Sequence, residues 1–146
     1  MDYRKFGDTF YIRADREEEV IATILAVCEK EGIRSAYYNA IGGCSSAEIQ
    51  TFKPEEHEFD TETVTGMLEL VSLMGDIVTN EEGKLYHHTH AMFAYVENGE
   101  HKTIGGHLKS TTVLYTAEIE LRPVQGVIGR KKDPETGTGF WNFEQD

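Results

Sequence analysis

Apolar residues recur at Val20, Ile21, Ile24, Leu25, Val27 and Cys28, the spacing that lines one face of a helix. Asp15-x-x-Glu18 just before them is a capping-box pattern, and Glu17, Glu18 and Glu19 suit the positive end of a helix. Lys30 suits the last turn and Gly32 can end it. These signals predict a helix over Arg16–Glu31. Elsewhere the period shortens to two. Phe6, Asp8, Phe10 and Ile12 predict a first strand, Ser35–Ile41 a second that Gly42-Gly43 breaks, and Ala47–Phe52 a third. Met67–Val78 is a near-continuous apolar run, as in a central strand. Thr112–Arg122 alternates, with Val113, Tyr115, Ala117, Ile119 and Leu121 facing inward and Glu118, Glu120 and Arg122 outward, until Pro123 and Gly126. Lys53–Thr65 is acidic, contains Pro54 and has no clear period, which predicts a loop; His57 lies there among Glu55, Glu56 and Glu58.

The richest stretch is Leu85–Leu108, LYHHTHAMFAYVENGEHKTIGGHL. Asn98-Gly99 between two apolar-rich runs is a strong hairpin signal, because both central residues of a type I′ turn need positive φ. A two-residue loop pairs Glu97 with Glu100, and counting back in that register sets His90 opposite His107. Opposed Cβ atoms lie roughly 4.5–5.5 Å apart on one face, and His88 shares the face about 6.6 Å along its strand. Three imidazoles then converge at a spacing that suits metal–nitrogen bonds of about 2.0–2.1 Å. A bulge at Gly105-Gly106 would undo the match. His87 points to the other face, and His101 lies about 20 Å along the strand. Neutral imidazoles suit zinc first, with nickel, iron or copper also possible. A four-residue loop over Asn80–Gly83 would set Gly75 opposite His88 and leave room beside the ring. Glu69, an acid inside the apolar run, is open to four readings: a partner of a ligand, a general base, an intersubunit contact, or a side chain reaching solvent.

The chain of 146 residues suits one domain, spanning 1–146 with its core over about 6–126 and a tail over 127–146. Phe140, Trp141 and Phe143 in that tail predict docking on the body or on a neighbouring subunit. The hydrophobic fraction of 39% and charged fraction of 27% fit a folded globular protein. No apolar run approaches the roughly 18 residues of a membrane span, and MDYRKFGDTF lacks the apolar core of a signal peptide, so a cytoplasmic location is expected. Cys28 and Cys44 show no Cys-x-x-Cys spacing. Cys28 falls on the helix's apolar stripe; Cys44 is open to being a buried residue, the commoner case, or a reactive thiol or a fourth metal ligand. A net charge of −12 argues against phosphate-backbone binding, since Arg130-Lys131-Lys132 is the one compact basic cluster.

Val71-Ser72-Leu73-Met74-Gly75, His88-Thr89-His90-Ala91 and Gly105-Gly106-His107-Leu108 together resemble the plants-and-prokaryotes conserved (PPC) domain family. The resemblance runs from about Phe6 to Phe143. It implies an α/β (α+β) fold with a mostly antiparallel sheet flanked by helices, assembled as a homotrimer, with a metal on His88, His90 and His107. The family also carries a DNA-binding label. In its plant members an Arg-Gly-Arg-Pro-centred AT-hook makes that contact, and Gly129-Arg130-Lys131-Lys132 is not one. A plant Gly-Arg-Phe-Glu-Ile run linked to partner binding is matched here by Gly66-Met67-Leu68-Glu69-Leu70, without the arginine. Three functions follow as expectations: a zinc-binding trimer whose open position takes a small ligand, with Glu69 as a base if it is an enzyme; a DNA-binding or transcription-associated protein; or a structural interaction module.

Overall fold

The computed structural model describes residues 1–144. The apolar stripe forms α1, Val20–Glu31, which starts later than the predicted Arg16. The backbone ahead of it is already engaged: Glu17 N donates to Val113 O, and Val113 N donates to Glu18 O, both at 2.9 Å. Glu17 takes a φ of 71° to make this turn. The Glu18 carboxylate does accept from Asp15 N at 2.7 Å, but that pair closes a turn. Glu19 is the N-cap, accepting from Ala22 N at 2.6 Å, and Gly32 ends the helix with a φ of 67°.

Among the described residues the other regular elements are strands. β1 (Asp2–Phe6) and β2 (Thr9–Ala14) form a hairpin about Gly7-Asp8. The predicted strand Phe6–Ile12 therefore straddles a turn, and Phe6 is exposed while Phe10 and Ile12 are buried. β3 (Ala36–Lys53) runs straight through Gly42-Gly43, with register shifts at Ala40/Gly42 and Cys44/Ser46 where a break was predicted. β4 (Glu58–Thr79) begins inside the predicted loop, paired with β3 from Lys53↔Glu58 onward. Most side chains from Glu58 to Met67 are exposed, so no burial period marked that segment as strand.

β5 (Leu85–Glu97) and β6 (Glu100–Pro123) follow. β6 pairs with β5 over Glu100–His107, then with β3 over His107–Pro123. Since β3 pairs with β4 and β4 with β5, these four strands close a circuit, with β2 joined to the far half of β6. The expected alternation in β6 holds at Val113, Ala117, Ile119 and Leu121, but Tyr115 is 68% exposed. Gly42 faces Ala117 while Cys44 faces Val113, so β6 carries surplus residues there and Tyr115 swings outward. The expectation of flanking helices is corrected: the described residues hold one helix, packed on the sheet, and the architecture is mostly β. Val20, Ile24 and Val27 of α1 join Phe10, Leu70, Phe93 and Ile119 in one core.

In the tail, β7 (Gly129–Lys132) adds parallel to the end of β4 at Thr79↔Gly129, and β8 (Gly139–Asn142) pairs antiparallel with it. Thr79 N donates to Ile128 O at 3.0 Å, and Ile128 N donates to Ser35 Oγ at 2.7 Å. The tail's backbone thus docks on the body, while Phe140, Trp141 and Phe143 stay exposed. Among the described residues no helix is long and apolar enough to cross a membrane.

Candidate metal centre

Asn98 and Gly99 take φ values of 53° and 80°, and the pairing runs unbroken from Glu97↔Glu100 to His90↔His107. Gly105 and Gly106 stay in register, facing Met92 and Ala91. His107 is where β6 changes partner: it faces His90 of β5 on one side and Gln50 of β3 on the other. A backbone paired on both sides fixes the direction of its side chain closely.

The rings of His90 and His107 have centroids 4.2 Å apart, and each lies 5.2 Å from His88. One nitrogen from each falls within 4.8 Å of the other two. Phe59 meets His107 edge-on at 5.2 Å, although its segment was predicted as a loop. Burial, helped by the Arg130 guanidinium and by His90, holds the His88 pKa below its ordinary value, with Asp76 opposing. Burial and then the charges of His90, His88 and Arg130 lower that of His107. Both effects favour the neutral imidazole that a metal requires.

Sequence reasoning missed Asp76 and Arg130. The turn between β4 and β5 holds five residues, Asn80–Lys84, with Thr79 facing Leu85. The Asn80 side chain accepts from Glu82 N and Lys84 N at 3.1 and 2.9 Å, which accommodates the extra residue. One residue more in the turn exchanges the faces, so Asp76, and not Gly75, stands opposite His88. Asp76 Oδ1 is buried with no hydrogen-bond partner. Gly75 instead faces Thr89 and leaves no free space, since a Cβ there would come within 2.7 Å of the Tyr38 hydroxyl. That hydroxyl is bonded to Thr89 Oγ1 at 2.6 Å.

The other candidates lie elsewhere. Glu69 is exposed and faces Ala94, four residues along β5 from His90 and thus about 13 Å away. His57 is exposed in the β3–β4 turn, and His101 is exposed near the hairpin tip. His87 points inward, its Nδ1 3.0 Å from Thr89 Oγ1. Cys44 is buried between Leu68 and Val113 in the sheet; burial raises its thiol pKa, against both a reactive thiol and a ligand here. Burial pushes the Cys28 thiol up to about 12.

Residues 1–125 match the sequence profile of the Plants and Prokaryotes Conserved (PCC) domain. The fold is similar to that of a Pyrococcus horikoshii plant- and prokaryote-conserved protein, with 32% identity over 97% of this chain and 94% of that one and a TM-score of 0.81. A metal-containing protein from Archaeoglobus fulgidus is 28% identical over 97% and 99% of the two chains, with a TM-score of 0.82. A Bacteroides thetaiotaomicron protein provisionally named as DNA-binding superposes with a TM-score of 0.90, at 24% identity over 99% and 98%. Among curated proteins none matches the chain.

Proposed function

The chain belongs to the plants and prokaryotes conserved domain family, and from that premise we propose that it is a metal-binding homotrimeric protein whose His88, His90 and His107 hold one zinc ion facing a small-molecule cleft. The observation that carries this reading is the convergence of three imidazole nitrogens to within 4.8 Å of one another. The donor set fits: three neutral nitrogens on a paired hairpin are ligands zinc accepts, with a fourth position left for a small molecule. Asp76 fits too, because its unpartnered buried oxygen beside His88 is the acceptor a ligating histidine needs for its second ring N–H. Bound zinc would supply a Lewis-acid centre. This chain's residues orient the rings, keep them neutral and shape the cleft. The metal-containing Archaeoglobus relative supports the assignment.

Self-association has separate support. Ile41, Val71, Met74, Met92 and Tyr115 are all largely exposed, and apolar area of that kind marks association surfaces. Glu69 joins this part of the proposal as an intersubunit contact, since it stands away from the histidines. DNA binding comes second, because a chain of net charge −12 must gather cations from several copies to hold a phosphate backbone.

Elemental mass spectrometry on untagged protein purified without chelator tests the metal, with one zinc per chain expected. No metal after supplementation with zinc would refute the site. Light scattering coupled to size exclusion should return three chains per particle, and a monomer would remove the trimer.

A further inference from the structure

Beside His88 and His107 lies a cleft of about 1020 Å3, walled on one side by the tail hairpin and lined also by Lys109, Arg130, Lys131 and Lys132. A collection of cations in a protein of net charge −12 is unexpected. Two of them are neutralised nearby: Lys109 Nζ lies 2.7 Å from Glu48, and Lys131 Nζ lies 3.4 Å from Glu144. Glu81 and Glu82 also border the cleft; Glu82 pairs with Lys84 at 2.8 Å. Among the described residues no carboxylate pairs with Arg130.

Arg130 is nevertheless held in place. Its guanidinium carbon lies 4.4 Å from the centroid of the Tyr86 ring, and Tyr86 shares its strand face with His88 and His90. The guanidinium also rests so close to Gly139 that a Cβ there would come within 2.5 Å of Nε. The half-buried side chain thus packs against both an aromatic ring and bare backbone, and these contacts restrict it.

We propose that Arg130 is the anion-recognition residue of the histidine cleft, and that the ligand is a small organic acid whose carboxylate meets the guanidinium while the rest of the molecule reaches the three histidines. This deepens the metal-site proposal and rests on it. A guanidinium is a planar fork matched to a carboxylate, and restricting it in advance reduces the entropy lost on binding. The parallel β4–β7 pairing at Thr79↔Gly129 carries Arg130 to the cleft, so the tail is part of the site.

The test is a titration of the cobalt(II)-loaded protein with oxalate, followed through the visible cobalt bands. Oxalate should bind and shift the bands. Arg130→Gln should keep one cobalt per chain and its melting temperature, yet bind oxalate about 10- to 100-fold more weakly. Gly139→Ala, which displaces only the end of a flexible side chain, should weaken oxalate by a smaller factor. Unchanged oxalate affinity in Arg130→Gln with cobalt fully bound would overturn the proposal and leave the metal site standing. Absence of cobalt from the wild-type protein would overturn the metal site. The arginine is then read separately, from the Arg130 Nε–H resonance of metal-free protein: a shift on adding oxalate supports the anion role, and no shift overturns it. Inorganic phosphate competing better than oxalate would overturn the carboxylate assignment.

Discussion

The two faces of β5 do different work with adjacent residues. Thr89, Ala91 and Phe93 point into the core and are buried, whereas His88, His90 and Met92 point the other way and retain exposure. The inward set is held by packing and by the Tyr38–Thr89 hydrogen bond. The outward set has few partners of its own, and its arrangement is inherited from backbone pairing on the opposite face's account. The site therefore needs little stability of its own, and the core does not rest on His88, His90 or His107.

The sharpest way to break this division is Phe93→Ala. Phe93 is 0% exposed, so its truncation should cost about 3–5 kcal/mol of unfolding free energy in a denaturant titration. Metal stoichiometry of the molecules that remain folded should be unchanged. On the other face, His107→Ala should abolish stoichiometric metal by elemental analysis, while the metal-free protein's stability falls by only about 1 kcal/mol, since the ring is half-buried. A large loss of stability in metal-free His107→Ala would show that the faces are not independent.

Asp76→Asn sharpens the comparison further, because the amide keeps the shape but removes the charge beside His88. Zinc affinity should fall about 10- to 100-fold, measured by competition with a chromophoric chelator.

The smallest effect is in pH. The pKa values of His88 and His107 are lowered in the fold, so the unfolded chain takes protons on these rings at higher pH than the folded one. Unfolded excess protonation makes stability rise with pH. The metal-free protein should therefore lose a little stability as pH falls below about 6.5, the ordinary imidazole value. Bound metal should persist into that range and leave below it, as protons displace it from the rings. Stability that increased on acidification through this window would contradict the sign.

Local physics made much of this readable from the chain. The Asn98-Gly99 turn and the strict period of two were enough to place His90 opposite His107, because a two-residue turn fixes register without help from the rest of the fold. The apolar stripe of α1 was equally legible, since burial of one helical face leaves a spacing in the sequence. What only the tertiary structure decided involves partners distant in sequence. The start of α1 was set by Val113, and the strand identity of Glu58–Thr65 by β3, with no burial period to announce either. The five-residue turn at Asn80–Lys84 put Asp76 where Gly75 was expected, a shift of one residue that exchanges faces. Arg130, within a basic run that resembles a solvated loop, reached the histidines through the parallel pairing Thr79↔Gly129. Spacing along a chain encodes contacts within an element or across a tight turn; contacts closed over many residues depend on how the whole sheet folds back, and that is where the cleft was made.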